Sequence, residues 1–250
     1  MENKFNVPSK AILLLPALRT VLFISGGMLL LHVPAFRGMS LNDISMWWPL
    51  LCIAVNLLTI SVLVFLTKRE GKNFRHLFNH EKNRKKTRKA LLAVIPIMLV
   101  LGIGGLTGFS WLIYGYMPVS TIHPLPLWAA IVVVIFLPVT IVFSEIPLYL
   151  GYCTPRIKEL TKNELFSVVY PLFFYALQHS FMPLIFDFKH MFSRFIMFIP
   201  LLIMMGLWYS RKKDLIPLMT GHGILDVLTG LQILMVSMYP LVYEMMLSPG

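Results

Sequence analysis

Four ionisable side chains lie inside long apolar stretches of this 250-residue chain, and they are the residues best suited to chemistry. They are Glu145, His179, His222 and Asp226. A charged group is costly at the centre of a bilayer, so such residues are rare there and are usually functional. A carboxylate and imidazoles can together activate water and move protons. The four residues therefore indicate a candidate hydrolytic site within a membrane.

The spacing of the last two residues predicts a direct contact between them. His222 and Asp226 are four positions apart, so they share one face of a helix. Asp226 can then accept a hydrogen bond from one ring nitrogen of His222 and fix its tautomer. Gly221 and Gly223 flank the histidine and leave room for another backbone, such as an extended substrate peptide.

The composition predicts an integral membrane protein. Hydrophobic residues make up 57% of the chain and charged residues 13%, which excludes an ordinary soluble domain. Apolar runs of about 20 residues match a hydrocarbon core of roughly 30 Å. Each run is continuously apolar rather than alternating, which favours helices over a barrel. We expect an all-α, polytopic transmembrane helix bundle forming a single domain over residues 1–250.

The apolar runs predict about seven transmembrane spans, within a range of six to eight. Their expected bounds are 11–35, 46–67, 90–115, 127–152, 165–186, 195–209 and 216–246. The last range is long enough for one tilted or broken helix, or for two short segments. Gly104 and Gly108 form a G-x-x-x-G pair in the third span, which predicts close helix packing there. Cys52 and Cys153 lie within or at the end of apolar runs, and we interpret them as packing residues.

Basic residues predict the orientation. With a cytoplasmic N-terminus, eighteen of the 22 Lys and Arg residues fall on the cytoplasmic side: Lys4, Lys10, ten from Lys68 to Lys89, Arg156, Lys158, Lys162, Arg211, Lys212 and Lys213. External loops hold only Arg37, Lys189 and Arg194, and Arg19 lies within the first span. This asymmetry is typical of a multi-pass protein, expected here in a bacterial plasma membrane. It also explains the net charge of +11 without a nucleic-acid partner.

The same topology predicts that the four ionisable residues meet. A helical rise of 1.5 Å per residue places them between roughly 14 and 22 Å below the nearest cytoplasmic charges. They come from three helices that run in alternating directions. Glu145, the two histidines and Asp226 are therefore expected in one layer near the middle of the membrane.

The segment around Glu145 resembles the first motif of the CPBP intramembrane proteases, a family that includes the type II CAAX prenyl endopeptidases. That motif usually reads E-E-x-x-x-R, often followed by G-Y-x-x-P-R, and residues 144–156 here read SEIPLYLGYCTPR. Gly151-Tyr152 and Pro155-Arg156 fix the register. Glu145 then takes the place of the first glutamate.

Two further segments are similar to the remaining motifs of the family. Residues 175–179 read YALQH and resemble F-x-x-x-H, with tyrosine in place of phenylalanine. Residues 222–226 read HGILD and resemble H-x-x-x-N or H-x-x-x-D. The three motifs occur in the family's order, and the resemblance covers a protease-like core of about residues 125–235.

The resemblance implies an intramembrane endopeptidase and assigns a role to each residue. Glu145 would be the general base on a water molecule, and His179 would share that water and later protonate the leaving amine. His222 would donate to the oxyanion, with Asp226 orienting it. The implied substrate is a membrane-associated peptide or protein, such as a prenylated or pheromone-like precursor, and membrane lipid is the other expected partner. No metal or cofactor is expected.

Three alternatives remain open at this point. Ile146 and Leu150 replace the second glutamate and the arginine of the first motif, which allows a catalytically impaired member acting as a membrane scaffold, regulator or bacteriocin-immunity protein. A zinc ion bound by Glu145, His179 and His222 is the second, because carboxylate and imidazole are competent ligands. A transporter with a proton relay is the third, although no paired broken helices occur in matching halves.

Overall fold

The computed structural model describes residues 10–78, 84–116 and 122–247, and within these ranges it contains helices and no strand. The α-helices of this part of the chain are α1 (Leu18–Leu30), α2 (Leu41–Ser45), α3 (Trp48–Arg69), α4 (Arg84–Tyr114), α5 (Leu127–Ile146), α6 (Thr154–Thr161), α7 (Glu164–His179), α8 (Phe188–Ile196), α9 (Ile199–Lys212), α10 (Ile216–Met238) and α11 (Pro240–Leu247). Short 3-10 segments cover Lys10–Leu13, Leu15–Ala17, Pro34–Phe36 and Phe74–Phe78. Lys4 and residues 79–83 of the predicted basic loop lie outside the described residues.

Six stretches of the described chain are long and apolar enough to cross a membrane. They are Lys10–Leu30, Trp48–Arg69, Lys85–Tyr114, Leu127–Thr161, Phe188–Lys212 and Ile216–Met238. The number lies within the predicted range of six to eight. The prediction of an all-helical, multi-pass integral membrane protein is therefore confirmed.

Two predicted spans differ from the observed helices. The span expected at 165–186 is α7, whose 16 residues give a length of about 24 Å, short of a hydrocarbon core of roughly 30 Å. The span expected at 216–246 is two helices, because α10 ends at Met238 and α11 begins at Pro240. Proline disfavours a helical conformation in the residue before it, and Tyr239 leaves the helical region with φ −127° and ψ 81°.

Helix α5 lies at the centre of the bundle. It packs against α3 on one side and against α10 on another, and α10 also packs against α4. Gly230 permits the close approach of α10 to α5, because a Cβ atom there would lie 3.1 Å from the Cα of Val134. Two of the helices on which the candidate residues lie, α5 and α10, therefore pack directly against each other.

The chain continues beyond α5 as a π-helical segment, Pro147–Cys153, which leads directly into α6. Pro147 has no backbone N–H and cannot donate the hydrogen bond that would continue α5 regularly. Widened π-helical turns of this kind occur often at functional sites. Here the segment buries Tyr149 and Leu150 fully. Glu145 thus precedes the irregular turn by two residues.

An ion pair ties the far end of this segment to the end of α3. Glu70 accepts a hydrogen bond of 2.7 Å from the Tyr152 hydroxyl and is paired with the Arg156 guanidinium, which lies over the Tyr152 ring. Partial burial raises the pKa of Glu70, but the hydrogen bonds from Arg156 and Tyr152 outweigh it, so the pKa lies below its ordinary value. Tyr152 and Arg156 of the G-Y-x-x-P-R segment therefore share one structural partner, Glu70.

The G-x-x-x-G prediction is wrong for contacts within this chain. A Cβ atom at Gly104 or Gly108 would meet no atom of the described residues within 4 Å, and both residues are exposed on α4. Packing occurs instead through Gly102, which faces Leu225 of α10, and through Gly105, which faces the backbone carbonyl of Met197. The rotation of α4 about its axis, which the motif does not specify, decides which glycines are buried.

We predict that Gly105→Ala destabilises the protein by about 1–3 kcal/mol, because a methyl group there overlaps a backbone oxygen that cannot rotate away. Gly104→Ala is the matched control on the same helix, with open space at its Cβ position. Thermal unfolding in detergent measures both. Equal midpoints for the two variants would contradict the packing described for α4.

Candidate active site

Helices α5 and α10 bring the candidate acid and one candidate imidazole into direct contact. Glu145 lies in the last turn of α5, and its Oε2 is 2.7 Å from Nε2 of His222 in the second turn of α10. Glu145 has no solvent exposure and His222 is 7% exposed. A carboxylate and an imidazole so placed can share a proton in a water-poor environment, where their electrostatic interaction is strong.

Asp226 lies behind the imidazole, on the side away from Glu145. Its Oδ2 is 3.4 Å from Nδ1 of His222, which is ion-pair distance, but neither atom has hydrogen-bond geometry with any described residue. The four-residue spacing thus brings the two side chains together without the predicted hydrogen bond. Buried polar atoms without partners are uncommon and call for a functional explanation.

His179, the last residue of α7, makes no hydrogen bond to Glu145 or His222. Its ring is stacked on Phe198 with the ring centres 3.6 Å apart, and no described residue bonds its Nδ1. The Tyr175 ring is next to both histidines, with its centre 5.9 Å from that of His179 and 6.2 Å from that of His222. The structure therefore places the second imidazole beside the site rather than in hydrogen-bond contact with the carboxylate.

Tyr175 adds a hydroxyl that the sequence analysis gave no role. Its oxygen is 3.0 Å from Nε2 of His222, the same nitrogen that contacts Glu145. The ring is held by stacking on Tyr149, with 4.6 Å between ring centres and 14° between planes. Phenylalanine, the usual residue at this motif position, supplies no such hydroxyl. The presence of tyrosine in place of phenylalanine at this position was the feature of the sequence that could have indicated a role for Tyr175.

The other carboxylate oxygen of Glu145 is held by a buried amide. Gln178 Nε2 donates to Glu145 Oε1 over 2.8 Å, and its own Oε1 accepts a 3.0 Å hydrogen bond from the Tyr149 hydroxyl. Gln178 precedes His179 on α7 and is fully buried. The amide orientation is thereby fixed from both ends, and it fixes the carboxylate in turn.

Arg19 of α1 is the most important residue that the sequence analysis missed. Its Nη2 is 2.7 Å from Glu145 Oε1, and both side chains have no solvent exposure. Its Nε donates to Gln178 Oε1 over 2.6 Å. A charged residue inside the first apolar run was the available signal, since such a cation needs a partner within the membrane.

A buried asparagine connects this ion pair to α3 and α5. Asn56 Oδ1 accepts hydrogen bonds from Arg19 Nη1 at 2.8 Å and from Ser144 Oγ at 2.9 Å. Its Nδ2 donates to Thr140 Oγ1 over 3.0 Å. Each of these four side chains is buried, so the polar groups satisfy one another in a layer from which water is excluded.

The positions of these side chains bear on whether the site could bind a metal ion. Among the described residues, no group of three or more His, Cys, Asp or Glu side chains is placed to hold a metal ion. Glu145 and His222 bond each other directly, and His179 stacks on Phe198 and hydrogen-bonds neither of them. A zinc site at these three residues would require them to move, and the expectation of no metal stays a prediction.

The sequence of residues 123–228 matches the family model described as type II CAAX prenyl endopeptidase, Rce1-like. The resemblance drawn from the three motifs is therefore confirmed. The match contains all four candidate residues, whereas Arg19 and Asn56 lie outside it. No protein among curated sequences, and none among solved structures, matches the chain.

We predict that Asn56→Ala lowers the free energy of unfolding by about 1–3 kcal/mol, because it removes a buried acceptor shared by Arg19 Nη1 and Ser144 Oγ. Ser61→Ala, at an exposed position on the same helix, should change it by less than about 0.5 kcal/mol. Denaturation in detergent followed by circular dichroism compares them. A fully stable Asn56 variant would argue against the network.

Proposed function

We propose that this chain, in which residues 123–228 form a domain of the Rce1-like type II CAAX prenyl endopeptidase family, hydrolyses a peptide bond in a membrane-associated substrate. Family membership supports a peptidase within a multi-pass membrane protein. The observation that carries the proposal is the contact of Glu145 Oε2 with His222 Nε2, which joins the first and third motifs in one buried position.

Glu145 is the proposed general base. Its Oε1 is held by Arg19 and Gln178, which leaves Oε2, facing His222, as the oxygen that can accept a proton. In this mechanism a water molecule enters between Oε2 and the imidazole. Its oxygen attacks the scissile carbonyl carbon while its proton passes to the carboxylate. A carboxylate already oriented by two donors needs little rearrangement for this step.

The proposed oxyanion donors are His222 and Tyr175. The Tyr175 hydroxyl and the His222 Nε2 atom lie 3.0 Å apart, so both can point to one oxygen that develops negative charge. Collapse of the tetrahedral intermediate breaks the C–N bond, and the leaving nitrogen takes up a proton. The proton that Glu145 took from the water is proposed to pass through the imidazole of His179, whose Nδ1 is not bonded to any described residue, to that nitrogen, which returns both side chains to their starting states.

An apolar cleft beside the site supports a substrate that stays in the lipid phase. A cleft of about 420 Å³ lies between α5 and α10, and its lining includes Val142, Phe143 and Gly223. Val142 and Gly223 are close in the sequence to Glu145 and His222, respectively. The proposed substrate class is therefore a peptide or protein with an apolar segment or an attached lipid chain, such as a prenylated precursor.

A second function is favoured by a specific observation. Both oxygens of Glu145 already have partners, and Ile146 and Leu150 are fully buried apolar residues where the family motif carries charge. The same geometry suits a polar cross-link between α1, α5, α7 and α10 in a non-catalytic scaffold, regulator or immunity protein. The two functions differ in whether the carboxylate is needed for turnover.

We predict that Glu145→Gln and His222→Ala each lower kcat by at least roughly 100-fold, because they remove the base and an oxyanion donor. Glu159→Gln is the matched control, an exposed carboxylate-to-amide change outside the site. The assay follows cleavage of a farnesylated peptide ending in a C-a-a-X sequence by purified protein in liposomes, with products identified by mass spectrometry. Loss of wild-type activity with 1,10-phenanthroline would support the zinc alternative.

The scaffold function makes the opposite prediction. A wild-type protein that cleaves no such peptide, together with a Glu145→Gln variant that retains the cellular phenotype at normal membrane levels, would overturn the peptidase proposal. Retained cleavage by the Glu145→Gln variant would overturn the role of Glu145 alone.

We also propose that the N-terminus and the Lys68–Lys89 segment face the cytoplasm, on the strength of the basic residues. Cys52 and Cys153 have no exposed surface, so the wild type should give no background with a membrane-impermeant maleimide. Arg37→Cys, at an exposed position before α2, should be labelled in intact cells. Lys68→Cys, exposed at the end of α3, should be labelled only after permeabilisation. The reverse pattern would invert the topology.

A further inference from the structure

A fully buried cation from outside the family domain contacts the proposed base. Arg19 belongs to α1, whereas the family match covers residues 123–228. In the described part of the chain, Glu145 is the one carboxylate that the Arg19 guanidinium contacts, at 2.7 Å. A buried guanidinium without an anion is strongly unfavourable, and so is a buried carboxylate without a cation. Each residue therefore makes the charged form of the other tolerable.

The hydrogen bonds around Arg19 require a guanidinium and not just a positive charge. Nε donates to Gln178 and Nη2 to Glu145, so one edge of the planar group is directed at the carboxylate and at the amide that also bonds it. Nη1 points the other way, to Asn56, Thr59 and Ser144. The group is thus fixed in its plane by residues of α3, α5 and α7, a geometry that lysine cannot reproduce.

The family's first motif contains an arginine, and this chain has no arginine at that position. Leu150 occupies the arginine position of that motif and is fully buried, as is Ile146 at the second glutamate position. Leu150 follows Glu145 by five residues across the start of the π-helical segment, where residues i and i+5 are neighbours. The position carries no charge, and the cation that contacts Glu145 comes from another helix.

We propose that Arg19 is the positioning residue that keeps Glu145 ionised and directed at His222, so that α1 completes an active site whose motif has lost its own arginine. This inference rests on the proposed peptidase function. The role is electrostatic and geometric: Arg19 bonds the oxygen of Glu145 that faces away from His222 and leaves the other as the base. Arg19 takes no proton and contacts no reacting atom.

The test moves the charge from α1 to the motif position. Arg19→Ala should lower kcat at least roughly 100-fold, with KM nearly unchanged because no substrate contact is lost. Arg19→Ala combined with Leu150→Arg should recover roughly 10-fold or more of that loss, since it returns a guanidinium about one helical turn from the same carboxylate. Arg19→Lys should retain intermediate activity. Arg37→Met, a change at an exposed arginine, is the control and should leave kcat unchanged.

A purely structural role predicts a different pattern. In that case kcat would fall only as far as the folded fraction measured by size-exclusion chromatography and thermal unfolding, and the Leu150→Arg change would restore nothing. If Arg19→Ala does not fold, Arg19→Met combined with Glu145→Gln should unfold at a higher temperature than Arg19→Met alone, because no buried charge is left unpaired. An equal or lower midpoint would overturn the pairing.

The outcomes separate this inference from the proposal on which it rests. A wild-type protein that does not cleave the farnesylated peptide would overturn both. Wild-type cleavage that Glu145→Gln abolishes, with kcat unchanged in a folded Arg19→Ala or Arg19→Lys variant, would leave the peptidase and overturn the role of Arg19. Wild-type cleavage with loss in Arg19→Ala and recovery in the double variant would support both.

Discussion

The buried ion pair between Arg19 and Glu145 is the interaction on which the rest of the site depends. Neither side chain reaches solvent, and removing one partner of such a pair typically costs about 3–5 kcal/mol because the other charge stays buried. The pair joins α1 to α5, so a helix outside the segment that matches the family model is held to that segment at the proposed base. The charge that stabilises the fold and the charge that would activate water are the same carboxylate.

The amides around this pair turn an attraction between charges into a fixed geometry. Gln178 donates to Glu145 and accepts from both Arg19 and Tyr149, so it connects α7 to the pair and to the π-helical segment. Asn56 plays the corresponding part on α3. A network in which buried donors and acceptors are satisfied favours a single arrangement, because any shift leaves a polar atom without a partner in an apolar surrounding. The orientation of the carboxylate therefore follows from packing of four helices.

The unsatisfied atoms lie on the opposite side of the site. His222 Nδ1, Asp226 Oδ2 and His179 Nδ1 have no hydrogen-bond partner among the described residues, whereas the side of Glu145 facing Arg19 is fully bonded. The site therefore has two sides. On one side hydrogen bonds fix the carboxylate of Glu145, and on the other side unbonded polar atoms are available to a substrate or a water molecule. The ring of Phe198 stacks on His179 and leaves its Nδ1 without a hydrogen bond to any described residue.

The sequence by itself determined the membrane class, the helical architecture, the resemblance of residues 123–228 to the family and the neighbourhood of His222 and Asp226, because run length, motif order and four-residue spacing are local properties of the chain. Tertiary structure alone decided that Arg19 pairs with Glu145 across 126 positions, that His179 stacks on Phe198, and that Gly105 packs while Gly104 is exposed. These outcomes depend on how each helix is rotated and which helix it meets. Continuously apolar helices carry little information about rotation, since every face is equally compatible with lipid and with protein.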